Sequence, residues 1–550
     1  MKSTNFLLFG LLVTLLQAFG SVKASNILSL IEIVPEDEQI WHDALIKGLT
    51  DRGHKVTVVS GSSTLNSKSP LFTKILLELV EPALLEWRDE HNHFTNKWLS
   101  PFGRVLHWYD KQIRICKGVL TSDGLLELVA LARGTGLEEP FDVILYDATH
   151  GRSCILALAQ LFEHVPIVGV SASHITPDLL KIVRGAQQQP ATVPHFTSAH
   201  TEHMNFFERL HNTFVYAYAN FYVKYTVTPV QQALLAQDEA LQAAHVNPIL
   251  DETSDRIKIV LVNDHPAINY VHSLPPNVIQ VGGLQFDNVN RPLSVEMQTF
   301  IDNSRDGVII ITLGGEMLTQ DLIDIVLRTI ASFPEYGFIW GIKKNRIPAG
   351  ERKNLYVEKW PKKSNILEQR KVKGVITGGS HMEMQEAVYN GVPIIAIKNA
   401  VHETSIATRV ESFGIGLSVD LTSIPDNLKT AIRTLTSYQN CTLYVKARQS
   451  AFRNRLHDPL EVALWWIEFV IAYAHGTDYL YSTAVAESWF LTLHSLDVVA
   501  VVVIFSTIFI VNAFVVFKGL KLRSEESSKM DKSEKKSKSK KSNDSHKKRR

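Results

Sequence analysis

Cysteine is scarce in this chain: there are three in 550 residues, Cys116, Cys154 and Cys441. Their irregular spacing makes neither a disulfide framework nor a metal-ligand set, although an oxidising compartment would allow one bridge. The glycines of Gly374–Gly379 are followed by Ser380 and not by lysine, which excludes a Walker-type phosphate loop. Aromatic residues are missing from the last 33 positions, where lysine and serine dominate. That composition argues against a nucleic-acid-binding tail and for a disordered one attracted to anionic lipid.

Charge is missing from two runs, one near each end. Lys2, the apolar stretch Phe6–Leu16 and the small residues Gly20 and Ala24 form the pattern of a cleaved signal peptide over 1–24, with an uncleaved anchor as the alternative. Val498–Phe517 is a twenty-residue run whose only strongly polar member is Asn512, long enough to cross a bilayer. The tail after it, 518–550, holds 14 of the 57 basic residues and 5 of the 56 acidic ones, a net of +9, so the remainder carries −8. Positive flanks stay cytoplasmic, so the sequence predicts a single-pass type I membrane protein with its bulk in the lumen. Lys547 and Lys548, four and three places from the end, resemble a dilysine retrieval signal, which points to the endoplasmic reticulum membrane. Asn440-Cys441-Thr442 is a glycosylation sequon and predicts a surface loop at Asn440.

Between the ends, strand, helix and strand alternate. Asn26–Ile33 reads as a buried strand, a helical stretch carries Ile40, Leu45 and Leu49, and Lys55–Val59 is a second strand, a βαβ unit. The unit recurs at 142–146, 154–162 and 166–170. A helix-rich insertion near 70–135 holds Trp87, Trp98 and Trp108, as core packing or as a ligand cage. Residues 261–286 are rich in Pro, Asn and Gly and read as a linker, after which strands at 307–313, 338–340 and 394–397 build a second half. The expected domains are 25–262, a linker at 263–285, 286–455, C-terminal helices at 456–497, the span at 498–517 and the tail. In such sheets ligands bind beyond the carboxyl ends of the strands. Those ends include Asp147, Gly314, Gly315 and the stretch "KGVITGGSHMEMQEAVYNGVP".

The segments "LTDRGHKVTVVS", "FDVILYD", "PNVIQVGG", "FIDNSRDGVIIITLGG", "VKGVITGG", "QEAVYNGVPIIAI" and "DPLEVALWWIEFVI" resemble, in order and spacing, the UDP-glycosyltransferase family in its animal, membrane-anchored branch. The resemblance implies an α/β fold of two facing Rossmann-like domains, called GT-B, plus a C-terminal transmembrane helix. It implies metal-independent, inverting transfer of a hexosyl unit from a UDP-sugar co-substrate, UDP-glucose being the leading donor, to a small lipophilic acceptor. No cofactor is implied, and no nucleic acid; a homo- or hetero-oligomer with related transferases is open.

The chemistry needs a base for the acceptor's proton, a carboxylate to orient it, and donors that neutralise the leaving diphosphate. In the family the base is a histidine after the first strand, paired with a later aspartate. Aligned through "RGHKVTVV", Glu38 stands in the histidine's place and Asp147 keeps the aspartate's; His42 and His150 are alternative substitutes. The resemblance implies donor contacts at Thr312, Gly314, Gly315, Trp360, Lys363, Gly378, Gly379, Ser380, Glu386, His402 and Glu403. Of these, Lys363 replaces a glutamine, Gly378 a histidine, and His402-Glu403 an Asp-Gln pair. Ser380-x-x-Glu383 also fits a capping box, which would place a carboxylate where phosphate binds, while Lys362, Lys363 and His381 could bring positive charge. Two readings follow: a transferase with unusual site chemistry, or a catalytically impaired relative that binds a lipophile or partners an active enzyme.

Overall fold

The computed structural model describes residues 24–547 apart from 33–37, 92–99, 135–139, 287–291, 314–318, 343–345, 348–351, 359–362, 399–403, 421–423, 438–439, 489 and 494. The expected signal peptide therefore lies almost wholly outside the described residues, as do Trp98 and the last residues of the dilysine pattern.

Two parallel sheets organise residues 24–481. The first contains β1 (Asn26–Ile31), β2 (Lys55–Ser60), β3 (Phe72–Leu76), β4 (Val143–Asp147), β5 (Ile167–Ser171), β6 (Ile257–Val262) and β7 (Val278–Gln280), in the order β3-β2-β1-β4-β5-β6-β7. The second contains β8 (Val308–Ile311), β9 (Gly337–Gly341), β10 (Leu355–Glu358), β11 (Val372–Thr377), β12 (Ile394–Lys398) and β13 (Gly416–Asp420), in the order β10-β9-β8-β11-β12-β13. Strands β4 and β5 are buried at every position. They read as unbroken apolar runs because helices cover both faces of a parallel sheet. The stretch expected as a linker carries β7, whose Val278 pairs with Val260, so part of it belongs to the first sheet.

Strand order reverses between β1 and β4 in one sheet and between β8 and β11 in the other. These reversals open the two crevices that a ligand can enter.

A C-terminal helix, Pro459–Tyr473, returns to the first sheet. It starts at the Asp458 N-cap, which accepts from the Leu460 and Glu461 amides, with Pro459 in the first turn, where its missing N–H is harmless. Its Ala463, Leu464, Ile467 and Val470 join one apolar cluster with Ile27, Trp41, Leu45 and Leu49. Each large side chain so buried contributes roughly 1.5–3 kcal/mol. The approach to the helix Gln39–Asp51 is close enough that a Cβ on Gly48 would meet Leu460 and Leu464 at 3.1 Å. Arg52 fixes the angle by donating to Glu468 at 2.8 Å and also pairing with Glu461.

The single allowed disulfide joins Cys116, on the helix Pro101–Thr121, to Cys154, at the start of the 3-10 segment Cys154–Leu161; Cys441 is free. Trp87 is buried in the packing the sequence suggested, its indole donating to Asp110 at 2.8 Å. Asn440 is exposed as expected, though it begins the helix Asn440–Arg453 instead of lying in a loop.

Residues 482–550 form a separate unit. Its main element is the helix Leu496–Lys547, whose apolar part is long enough to cross a membrane by length and composition. The basic tail, expected to be disordered, continues this helix. Lysine and glutamate are good helix formers, and Asp531–Lys535 and Glu534–Lys538 pair one turn apart at 3.9 and 3.8 Å.

Candidate active site

At the first crevice the chain leaves β1 at Glu32 and β4 at Asp147, bringing two buried carboxylates to adjacent strand ends. Burial raises the Glu32 pKa to about 7, with Asp147 adding to the rise and Ser153, the Ile155 backbone and Lys111 opposing it. Burial likewise raises Asp147 to about 6 against the hydrogen bond from Thr149. That bond, Thr149 N to Asp147 Oδ1 at 3.1 Å, begins a tightly held turn. Thr176 Oγ1 donates to the Thr149 carbonyl at 3.1 Å, the Tyr146 hydroxyl donates to the Gly151 carbonyl, and the Ser153 amide donates to that same hydroxyl at 3.1 Å. Gly151 has φ +68°, and a Cβ there would meet the Asp178 carbonyl oxygen at 2.8 Å, so the turn has room only for glycine.

His150 rides on this turn. Its Nδ1 lies 3.7 Å from Glu32 Oε2, and Trp108 covers one face of the ring at 4.8 Å between centroids. Burial lowers its pKa to about 3, with Lys111 adding to the effect, so the imidazole is neutral at pH 7. His42 is different: it is buried in the helix Gln39–Asp51, edge-on to Trp41, with its pKa also lowered by burial to about 3. Glu38 is the N-cap residue of that helix and is half-buried, its carbonyl accepting from the Trp41 amide at 3.1 Å. Sequence reasoning missed Glu32, which it absorbed into the first strand. The available signal was that Glu32 is the only charged residue in the run 26–34.

At the second crevice Thr312 follows β8, and its amide donates to the Ile376 carbonyl at 2.9 Å. Thr377 ends β11, and the chain passes through Gly378 and Gly379 (φ +91°) to the N-cap Ser380 of the helix His381–Asn390. Half of the expected capping box is present: Ser380 Oγ accepts from the Glu383 amide at 3.2 Å. The Glu383 carboxylate, however, accepts from the buried Thr377 hydroxyl, which in turn accepts from the Gly379 amide at 2.9 Å. The carboxylate is thus held against the strand end, where a short side chain already supplies a donor. The Ser380, His381 and Met382 amides make no hydrogen bond among the described residues.

His381 does not bring the positive charge that the sequence allowed. Its Nε2 is 2.7 Å from the Asn263 carbonyl, and burial lowers its pKa to about 3, so it is neutral. The same helix is tied to the first lobe by Gln385 Nε2 donating to Asn263 Oδ1 at 2.9 Å and by Met382, which enters the first lobe's apolar cluster. Glu386, one turn farther on, is buried. Gly314, Gly315, Trp360, His402 and Glu403 lie outside the described residues, as does the side chain of Lys363, which begins the helix Lys363–Leu367. The described positions brought together are therefore Asp147 with Glu32 and His150, and Thr377 with Glu383 and the open amides.

A model of the family described as UDP-glucoronosyl and UDP-glucosyl transferase matches residues 31–534. The human UDP-glucuronosyltransferase 2B15 is 25% identical over 549 residues, covering 94% of this chain and 98% of that protein. UDP-glycosyltransferase UGT4 of Dactylopius coccus is 25% identical over 463 residues, covering 82% and 86%. Among solved structures, the calicheamicin glycosyltransferase CalG4 superposes with a TM-score of 0.52 at 14% identity, covering 82% of this chain and 99% of that one. Glycosyltransferase VinC in complex with dTDP gives 0.53 at 14%, covering 81% and 99%. These structures share the GT-B arrangement of two parallel-sheet domains seen here. The chain belongs to the UDP-glucuronosyl and UDP-glucosyl transferase family.

Proposed function

We propose that this chain transfers a hexosyl group, with inversion and without a metal, from UDP-glucose to a small lipophilic acceptor in the lumen of the endoplasmic reticulum. The observation that carries the reading is the start of the helix His381–Asn390. Three successive amides there, those of Ser380, His381 and Met382, make no hydrogen bond among the described residues, at the crevice where strand order reverses. Helix N-termini of this kind receive the negative charge of a diphosphate. The Leu496–Lys547 helix, long and apolar enough to cross a membrane, supports anchoring, and the positive charge that follows the apolar run favours a cytosolic tail.

A second reading has its own support. Glu383 places a carboxylate beside the cradle and Met382 is committed to the first lobe, features that suit a relative which no longer binds the donor. Thermal unfolding of the full chain in detergent, with UDP, UDP-glucose and UDP-glucuronic acid at millimolar concentration, separates the two. Donor binding at a hundredfold excess over Kd would add about 2.7 kcal/mol and raise the midpoint by a few degrees. No shift with any of the three leaves only the binding or partnering role.

A further inference from the structure

The aligned base position, Glu38, is a helix N-cap, yet an imidazole and a carboxylate do face each other at the same crevice. We propose that His150 is the base of the transfer reaction and Glu32 its positioning carboxylate, so that the family's dyad persists with its members exchanged between strands. In the family the imidazole follows the first strand and the carboxylate a later one; here the carboxylate ends β1 and the imidazole follows β4. The assignment rests on the transferase reading above.

Three observations support it. Glu32 and His150 sit beyond adjacent parallel strands, β1 and β4, at the order reversal. The ring is held from both sides: Trp108 covers one face, itself packed edge-to-face on Phe196 at 5.2 Å, and the turn beneath is locked by the bonds from Thr149, Thr176 and Tyr146. Finally, Nδ1 is buried with no hydrogen-bond partner among the described residues, while the side chain keeps 10% of its surface exposed. A buried polar nitrogen left unpaired is costly to the fold, and an apolar ring at the same place would avoid that cost. Shortening the 3.7 Å approach to Glu32 would pair it, as catalytic hydrogen bonds commonly tighten once substrate binds.

With Nδ1–H turned to Glu32, Nε2 carries the lone pair. It takes the proton of the acceptor hydroxyl while the acceptor oxygen bonds to the sugar's anomeric carbon. The bond from that carbon to the diphosphate breaks, and UDP leaves with the electron pair. The imidazolium formed is stabilised by Glu32 and by Asp147, and releases its proton to solvent after the glycoside departs. Among the described residues, the charged and titratable groups around Glu32 and the ring are Asp147, Lys111 and Tyr146.

The test uses the full chain in detergent micelles, following UDP release from UDP-glucose with water or 4-nitrophenol as nucleophile. We expect His150→Ala to lower kcat ~10²–10⁴-fold with KM for UDP-glucose unchanged, and added imidazole to restore part of the rate. Glu32→Gln should lower kcat less and change the acid limb of the pH profile. His150→Phe, which keeps the packing against Trp108, should be as slow as His150→Ala. If His150→Phe retains the wild-type rate, or if Glu38→Gln loses activity while His150→Ala does not, the assignment is overturned and the transferase reading survives. If the wild-type protein binds UDP-glucose but releases no UDP, both fall.

Discussion

Glu32 is an expensive residue for the fold to keep. Its folded pKa of about 7 lies above its unfolded value near 4.5, so the native state holds the proton more tightly than the unfolded chain. The protonated side chain is tolerated fully below pH 4.5, and stability is lost as pH rises through 7. Glu32→Gln removes that loss. The variant should therefore gain stability relative to wild type between pH 5 and pH 8, by on the order of 2–3 kcal/mol. Denaturant midpoints at the two pH values check it, and a difference that does not change with pH would show that Glu32 is not buried as an acid. The crevice residues were only partly legible in advance. Asp147 follows an apolar run and could be placed at a strand end from sequence, whereas the partner of His150 could not, because it depends on which strands are neighbours. His381 illustrates the same limit: burial, with Arg409 adding to it, keeps the ring neutral against the Asn263 carbonyl, 118 residues away in sequence.

Single elements were easier to read than their surroundings. The run Val375–Thr377 followed by glycines and a capped helix could be read locally, since both the strand and the Ser380 cap depend on near neighbours. β10 and β13 were not anticipated, being short and partly exposed, and β7 was hidden in a proline-rich stretch. The helix Phe206–Tyr222 is capped by a full Asn205–Glu208 box and buries one face, with Val215 and Ala219 in a core cluster beside Val105 and Tyr109. Phe206, Phe207, Phe214 and Phe221 are exposed by 60% or more. Beside them Phe102, His211, Phe214, Ala217, Tyr218 and Phe221 line an apolar hollow of about 470 Å³. Lipid contact would account for such an exposed aromatic face. In liposomes carrying the full chain, a photoactivatable phospholipid should label peptides from 206–221 as well as from 498–517. Label confined to the latter would return the helix to a role in the aqueous phase.

At the scale of the molecule, the two sheets and the long apolar C-terminal helix were readable because parallel α/β units and long uncharged runs leave strong patterns. The closure of the first lobe by the Pro459–Tyr473 helix was not legible in the sequence, because it depends on a contact more than four hundred residues away. Arg52 and His54 both reach Glu468, at 2.8 and 3.3 Å, and Glu468 is largely buried. Glu468→Ala leaves the two without that carboxylate and should cost about 1–3 kcal/mol, read as a lower unfolding midpoint. An unchanged midpoint would mean the apolar packing of Leu464 and Ile467 closes the lobe alone. That closure also orders events in time. The Trp41 side of the first lobe's core is synthesised more than four hundred residues before Val470, which at ~5–20 residues per second is an interval from about twenty seconds to over a minute. Throughout it, a nascent chain carries an unfinished greasy face. A premature stop between residues 421 and 458 would therefore damage the half of the protein made first, and such a fragment would depend on chaperones although every strand of both sheets had been translated.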